Sequence, residues 1–234
     1  MKKLILLLLA AAVATTAAAQ AQRDTLTFNN DYYFSKRNVE ELVPVTGQNI
    51  VMLGNSLTER GFWAVYFQGK RVLNRGIGGD VTDGLLKRMD ESIFDLEPKK
   101  VFINIGTNDI SRPEYKRERL MSQYRKILMQ IQARLPETKI YVMSYYPVNR
   151  ELPGADPEAV KAQFGARTNA ELKEVNAEVE KMAEELNCTY INVFDCLLDE
   201  KGNLKAEYTI EGMHMYANGY AVVLEKLMPY LLEE

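Results

Sequence analysis

A serine, a histidine and a glutamate in this chain have the chemistry of a nucleophilic hydrolase. Ser56 follows a short apolar run that ends at Gly54, and an exposed serine hydroxyl becomes a useful nucleophile when a general base lies within hydrogen-bond reach. His214 is the only histidine and so the only imidazole base. Glu211, three residues earlier, could orient the ring and stabilise the imidazolium formed during acyl transfer. These residues predict a Ser–His–carboxylate arrangement.

Acyl transfer also needs donors that face the oxyanion of the tetrahedral intermediate. Three are available: the backbone N–H of Ser56, a backbone N–H in the Gly78-Gly79 turn and the side-chain amide of Asn108. Each residue also has a plainer interpretation, because Ser56 and Asn108 could cap helices and Glu211 could be a solvated loop charge. The glycine-rich turn could cradle a phosphate, although it departs from the dinucleotide pattern. Since these residues fall in successive strand-end loops, we favour catalysis.

The elements that must position these residues are strands alternating with amphipathic helices. This pattern predicts an α/β fold of three layers, α/β/α, around a five-stranded parallel sheet. The predicted strands cover 49–53, 71–74, 100–105, 139–145 and 189–194, and the predicted helices 83–94, 114–135, 167–186 and 218–231. Residues 22–48 are interpreted as an irregular lead-in with a short helix at 38–42, and 147–166 as one long connection. Ligands of such sheets bind beyond the carboxyl ends of the strands.

Four of the strand-end loops resemble the sequence blocks of the SGNH hydrolase superfamily, the GDSL-type esterases and lipases. The blocks are GNSL at 54–57, NRGIGGD at 74–80, GTND at 106–109 and EGMH at 211–214, and the resemblance runs from about residue 50 to 220. It implies a flavodoxin-like strand order, Ser56 as nucleophile, His214 as base, and Gly79 and Asn108 as oxyanion donors with the Ser56 N–H. The first block has Asn55 where the family usually has aspartate. The last block is usually D-x-x-H, so Glu211 is one methylene longer, and a Ser–His dyad remains if its carboxylate does not reach the ring.

The second block resembles the branch that contains platelet-activating-factor acetylhydrolase-like proteins and carbohydrate acetylesterases. We therefore expect a serine esterase that removes short acyl groups, above all O-acetyl groups of carbohydrate such as O-acetylated sialic acid or polysaccharide. Trp63 could stack on a sugar ring, and Arg112, Arg150 and Arg167 could bind a substrate carboxylate. The plainer interpretation of Trp63 is a core residue, and that of the three arginines is solvated surface charges. The alternatives are a general short-chain acyl esterase or thioesterase, including a lysophospholipase-like enzyme, and a non-catalytic glycan-binding protein.

The beginning of the chain and its overall charge indicate the compartment and exclude some partners. Two lysines, an apolar run at 4–13 and alanines at 17–19 and 21 predict a signal peptide over residues 1–21, so that 22–234 would form a single exported domain, periplasmic or secreted. The apolar run is too short for a membrane anchor. A formal net charge of −3, with dispersed charges, gives no footprint for nucleic acid or anionic membrane. No metal or organic cofactor is predicted, and the sequence leaves the oligomeric state open.

Overall fold

The computed structural model of the chain describes residues 30–42, 47, 50–67 and 69–233. Its centre is a five-stranded sheet, whose strands are β1 Ile50–Gly54, β2 Val72–Gly76, β3 Lys100–Asn104, β4 Lys139–Met143 and β5 Thr189–Ile191. All neighbouring pairs are parallel, and the order across the sheet is β2-β1-β3-β4-β5. This is the flavodoxin-like order, and the α/β prediction is confirmed.

The order of the strands in the sheet reverses at β1. The two strands that follow it along the chain, β2 and β3, lie on opposite sides of it. The last residue of β1, Gly54, is in register with Gly76 on one side and Asn104 on the other. The loops that follow these three strands therefore leave the sheet side by side, at the kind of switch point where α/β proteins bind ligands.

Helices alternate with the strands in the described part of the chain. The helices are α1 Asp31–Leu42, α2 Ser56–Glu59, α3 Trp63–Tyr66, α4 Thr82–Lys87, α5 Met89–Ser92, α6 Thr107–Ile110, α7 Arg117–Arg134, α8 Pro157–Phe164, α9 Asn169–Glu185 and α10 Ala217–Leu232. Short 3-10 turns lie at Phe94–Leu96, Asp195–Leu197 and Ala206–Tyr208.

The sheet separates two hydrophobic cores, as a three-layer fold requires. Val51 and Leu53 of β1 belong to one cluster, which includes the buried faces of α7 and α9. Ile50 and Met52 belong to the other, which includes Trp63 and the buried face of α10. Because successive strand residues point to opposite faces, a strand that is apolar throughout supplies both cores.

The lead-in before β1 is more regular than expected, because α1 begins well before the short helix predicted at 38–42. The Asn30 side chain accepts a hydrogen bond from the Tyr33 N–H at 2.8 Å at the start of this helix. Tyr33 and Phe34 pack with Ile77 and Val81, so α1 lies against the turn after β2. The inward face of α1 also carries the buried Glu40.

Two other elements also differ from the prediction. The helix expected at 83–94 divides at Arg88, which leaves the helical conformation with φ −122° and has a fully buried side chain. The connection at 147–166 contains α8, so the prediction of one long loop was wrong. Asp156 caps α8 by accepting the Glu158 N–H at 3.2 Å, and Pro157 occupies the first helical position, where its missing N–H costs nothing.

The predicted signal peptide at 1–21 lies outside the described residues. Within the ranges that the structure describes, no helix has both the length and the apolar character that a bilayer crossing demands.

Candidate active site

Ser56 is the first residue of α2, directly after the tight turn that follows β1. A side chain at Gly54 would bring its Cβ within 2.2 Å of the Thr58 hydroxyl and 2.3 Å of the Asn104 carbonyl oxygen, so the turn needs glycine there. The Asn55 Oδ1 accepts the Leu57 N–H at 2.9 Å and caps α2. The cap is therefore Asn55, and the plainer interpretation of Ser56 as the cap is wrong. The Ser56 hydroxyl is left for other contacts.

The His214 ring reaches Ser56 from the far end of the chain. Its Nε2 lies 2.9 Å from the Ser56 Oγ, across 158 positions of sequence. The histidine precedes α10, and its side chain is 15 % exposed, so the ring is largely shielded from solvent. This distance is a normal hydrogen bond and suits proton transfer from the hydroxyl to the imidazole.

Glu211 contacts the other nitrogen of the same ring. Its Oε1 is hydrogen-bonded to His214 Nδ1 and also accepts the His214 backbone N–H at 3.1 Å. Burial would raise the pKa of this carboxyl, but the hydrogen bonds and charge of His214 outweigh it, and the pKa is lowered. The longer glutamate side chain therefore reaches the ring and stays ionised in neutral solution.

The loop around Glu211 is built to hold this geometry. Thr209 Oγ1 accepts the Gly212 N–H at 2.8 Å and donates to the His214 carbonyl oxygen at 2.9 Å. Gly212 has φ +95°, and a Cβ there would lie 2.1 Å from the Asn149 carbonyl oxygen. The loop is thus pinned against the segment after β4, and glycine is required for the close approach.

Gly79 and Asn108 lie on the side of Ser56 formed by the loops after β2 and β3. Gly79 has φ +78°, and, apart from its own chain neighbours, no described residue places a heavy atom within 4 Å of where its Cβ would be. Its N–H has no hydrogen-bond partner within the described ranges. The Asn108 Nδ2 donates to the Asp80 carbonyl oxygen at 2.9 Å, which ties the two loops together and leaves the second amide hydrogen for another acceptor.

Arg167 does not lie where a substrate carboxylate could reach it, which corrects its prediction as a substrate-binding residue. It is 2 % exposed. Its guanidinium donates to the Thr107 carbonyl oxygen at 3.0 Å and to the Asn108 Oδ1 at 3.3 Å, and it contacts the Met213 sulfur. Burial lowers its pKa to about 10, against the opposing effect of Glu211. The partners of its guanidinium are therefore groups of the protein itself.

Trp63 is likewise a core residue, so its prediction as a sugar-stacking side chain is wrong. It is 1 % exposed, its Nε1–H donates to the Thr58 carbonyl oxygen at 2.7 Å, and its ring stacks on Phe67 with centroids 5.9 Å apart. The helical spacing from Trp63 to Phe67 hides both rings against α10. Phe62, one residue earlier, is the exposed aromatic at 68 %.

Arg112 and Arg150 are half-buried near the same end of the sheet. Arg112 donates its backbone N–H to the Asp109 carbonyl oxygen at 3.2 Å, just after α6. The Arg150 guanidinium lies over the Phe164 ring, 5.9 Å from its centroid. Both keep part of their surface in solvent, and their contact with substrate stays a prediction.

A buried ionic cluster below the site was missed by the sequence analysis. The Arg88 guanidinium, fully buried, bonds the Asp80 carboxylate at 2.8 Å and the Gly54 carbonyl oxygen at 2.9 Å. Glu40 of α1 approaches Arg88 at 3.6 Å and Arg75 at 3.9 Å. The cluster thus joins the residue before the turn of Ser56 to the residue after Gly79. Arg88 could have been suspected only from its place inside an otherwise apolar helix face.

The family of the chain follows from its sequence as well as its fold. Residues 52–222 match the GDSL-like Lipase/Acylhydrolase family model, and the chain belongs to that family. It is similar to the rat platelet-activating factor acetylhydrolase IB subunit alpha2, with 26 % identity over 210 residues that cover 88 % of this chain and 84 % of the relative. It is also 28 % identical over 183 residues to the N-acylneuraminate cytidylyltransferase of Escherichia coli, covering 75 % of this chain but 38 % of that protein.

Solved structures share the architecture. A platelet activating factor protein from Streptococcus pneumonia superposes with a TM-score of 0.76 and 27 % identity, covering 93 % of this chain and 99 % of that one. The acetylxylan esterase Axe2 of Geobacillus stearothermophilus shares the fold, with a TM-score of 0.62 and 18 % identity over 82 % of this chain and 97 % of its own. The protein is an acylhydrolase of esterase or lipase type that acts on ester bonds.

Proposed function

We propose that the protein is a serine esterase that removes short acyl groups, chiefly O-acetyl groups, from carbohydrate. The observation that carries the proposal is the chain of contacts from the Ser56 Oγ through the His214 ring to the Glu211 carboxylate. The His214 Nε2 takes the hydroxyl proton as the Ser56 oxygen attacks the ester carbonyl, while Glu211 stabilises the imidazolium. The imidazolium then protonates the departing alcohol, and water activated by His214 releases the acyl group from Ser56.

The negative charge of the tetrahedral intermediate is held, in this proposal, by three donors. They are the backbone N–H groups of Ser56 and Gly79 and the second Nδ2 hydrogen of Asn108. The Ser56 N–H belongs to the first turn of α2, where backbone donors have no intrahelical partner. Gly79 offers an N–H without a partner in the described chain, and Asn108 is fixed by its bond to Asp80. Fixed donors stabilise the developing charge without reorganising.

The acyl group and the alcohol of the proposed ester substrate are supported by the names of relatives and by residues of this chain. The rat relative is an acetylhydrolase by name, which favours acetyl as the acyl group. The Escherichia coli relative is named for an N-acylneuraminate, a sugar that carries a carboxylate. Arg112 and Arg150 would bind such a carboxylate, and the exposed ring of Phe62 would contact the sugar.

The test compares acyl chains on the protein beginning at Gln22. We expect kcat/KM to fall in the order p-nitrophenyl acetate, butyrate, octanoate, and acetate to be released from O-acetylated sialic acid or acetylated polysaccharide. Ser56→Ala should lower kcat by several powers of ten, about 1,000-fold or more. A preference for octanoate, with acetylated glycans left intact, would instead support a general acyl esterase. Turnover in Ser56→Ala equal to that of the wild type would end the catalytic proposal, and acetylated-glycan binding without turnover would leave a binding protein.

Export is a second proposal, and it rests on the sequence at 1–21 alone. Two lysines followed by an apolar run and small residues form the pattern of a cleaved signal peptide. The form recovered outside the cytoplasm should begin at Gln20 or Gln22, as read by N-terminal sequencing. Recovery in the cytoplasm with residues 1–21 intact would contradict export.

A further inference from the structure

Arg167 contacts two segments of the proposed active site, the one that contains Asn108 and the one that contains His214, and it belongs to neither of them. It precedes α9, and its Nε and Nη2 donate to Thr107 and Asn108, the first residues of α6 after β3, at 3.0 and 3.3 Å. Its Nη1 contacts the sulfur of Met213, the neighbour of His214. A guanidinium holds its five donors in a rigid planar fork and can serve three acceptors at fixed directions, whereas the three donors of an ammonium rotate at the end of a flexible stem.

The two ends of the Asn108 amide are both held. Its oxygen accepts from Arg167, and one Nδ2 hydrogen goes to the Asp80 carbonyl oxygen at 2.9 Å. The amide is planar, so fixing the oxygen and one hydrogen also fixes the direction of the remaining hydrogen. That hydrogen is the one assigned above to the oxyanion. Without Arg167, the amide would be anchored at one end only and could turn about its side-chain torsions.

The positive charge of Arg167 is not cancelled by its hydrogen-bond partners. Within the described ranges these are a backbone carbonyl, an amide oxygen and a thioether, all of them neutral. The Glu211 carboxylate acts on Arg167 through space and is already bonded to His214. A cationic donor on the amide oxygen withdraws electron density from the amide nitrogen, so the free N–H becomes a stronger donor.

We propose that Arg167 is a positioning residue that aims and polarises the Asn108 side-chain amide toward the oxyanion; this inference rests on the proposed esterase function. Arg167 does not touch substrate, because its side chain is buried. It acts through Asn108, and its loss is felt in the transition state more than in the bound ester. The proposed oxyanion donors are still three, but the Asn108 amide depends on Arg167, which lies outside the four sequence blocks.

The experiment is a double-mutant cycle between Arg167 and Asn108, measured as kcat and KM on p-nitrophenyl acetate. Arg167→Met keeps the length of the stem and removes the donors and the charge, and Arg167→Lys keeps the charge but loses the fork. Arg125→Met is the matched control, because Arg125 is an exposed arginine that pairs with Glu185 on the outer surface. Thermal melting of every variant shows whether it folds, and Arg167→Lys continues the cycle if Arg167→Met does not.

Loss of one oxyanion donor typically costs 100- to 1,000-fold in kcat, so we expect Asn108→Ala to fall in that range. Arg167→Met should lower kcat about 10- to 100-fold in the wild-type background, with KM changed by less than about 3-fold. In the Asn108→Ala background it should lower kcat by less than about 3-fold, because the amide it aims is gone.

Two results would overturn the inference while the esterase proposal stands. One is an equal loss of kcat from the Arg167 variants in both backgrounds, which would indicate a structural role or an effect through Met213. The other is a raised KM with unchanged kcat, the signature of direct substrate binding. Absence of turnover in the wild type would overturn the esterase proposal itself, and the inference with it.

Discussion

The Glu211 carboxylate makes two contacts through one oxygen. Oε1 bonds the His214 ring at Nδ1 and also accepts the His214 backbone N–H. The second contact folds the loop so that the longer glutamate side chain turns back on the residue three positions later. A glutamate in place of the family's usual aspartate is thereby accommodated, and Ser56, His214 and Glu211 are in contact, as the proposed triad requires.

Glu211→Gln tests whether the charge of this carboxylate matters. The amide keeps an oxygen for the backbone N–H but cannot stabilise an imidazolium, so we expect kcat/KM on p-nitrophenyl acetate to fall by about 100- to 10,000-fold. Glu211→Asp keeps the charge and should retain more activity than Glu211→Gln. If Glu211→Gln stays within about 3-fold of the wild type, the enzyme works as a Ser–His dyad.

At the scale of single residues, the sequence predicted which reactive side chains meet better than it predicted which side chains are buried. Ser56, Glu211 and His214 come together as expected, because their types and their place in strand-end loops restrict what they can contact. Trp63 and Arg167 were misjudged, since an aromatic or an arginine beside a strand-end loop looks the same in sequence whether its side chain faces solvent or the core. Helical spacing to Phe67 favoured the core for Trp63. Nothing in the sequence indicated that Arg167 holds Asn108.

Among the elements, α1 has a role beyond covering the turn after β2. It lies before the span 52–222 that matches the family model, yet its Glu40 supplies a carboxylate to Arg88 and Arg75. The Glu40 Oε2 also accepts a hydrogen bond from the Ser92 hydroxyl at 2.6 Å. Arg88 in turn holds the Gly54 carbonyl and the Asp80 carboxylate on either side of the site. We infer that α1 stabilises the loops of Ser56 and Gly79 through this cluster.

Glu40→Gln should be far more harmful than the same change at the next residue. Removing one partner of a buried ionic cluster leaves uncompensated charge, so we expect the free energy of unfolding in urea to fall by about 3 kcal/mol. Glu41 is 43 % exposed and pairs with Arg37, so Glu41→Gln should change it by less than about 0.5 kcal/mol. Equal effects of the two substitutions would show that the cluster does not stabilise the fold.

Element boundaries were predictable where periodicity was clean and failed where charge was buried. The long amphipathic helices α7, α9 and α10 were predicted to within a few residues. The beginning of α1 and the break at Arg88 were not predicted; Arg88 points inward and reverses the usual relation between charge and exposure. The Asp-Pro signal before α8 was present in the sequence, but the prolines of that segment favoured a loop.

For the molecule as a whole, the sheet order explains how distant residues meet. The reversal at β1 brings the loops after β1, β2 and β3 to one edge of the sheet, and the segment after β4 pins the loop of His214 beside them. Alternating strands and helices predicted that the loops after the strands lie at one edge, since parallel sheets place all their carboxyl ends together. The strand order itself was implied by the resemblance to the SGNH hydrolases. The distances within the site could not be predicted, because they depend on loop contacts such as that of Gly212 with Asn149.

The most direct measurement identifies the nucleophile by covalent labelling. A fluorophosphonate phosphonylates a serine only when a base activates it and donors stabilise the transition state. Mass spectrometry of the treated protein should find one phosphonyl group, on Ser56, and none on the Ser56→Ala or His214→Ala variants after the same exposure. A label on another residue, or an unlabelled wild type that still hydrolyses p-nitrophenyl acetate, would contradict the Ser56–His214–Glu211 account.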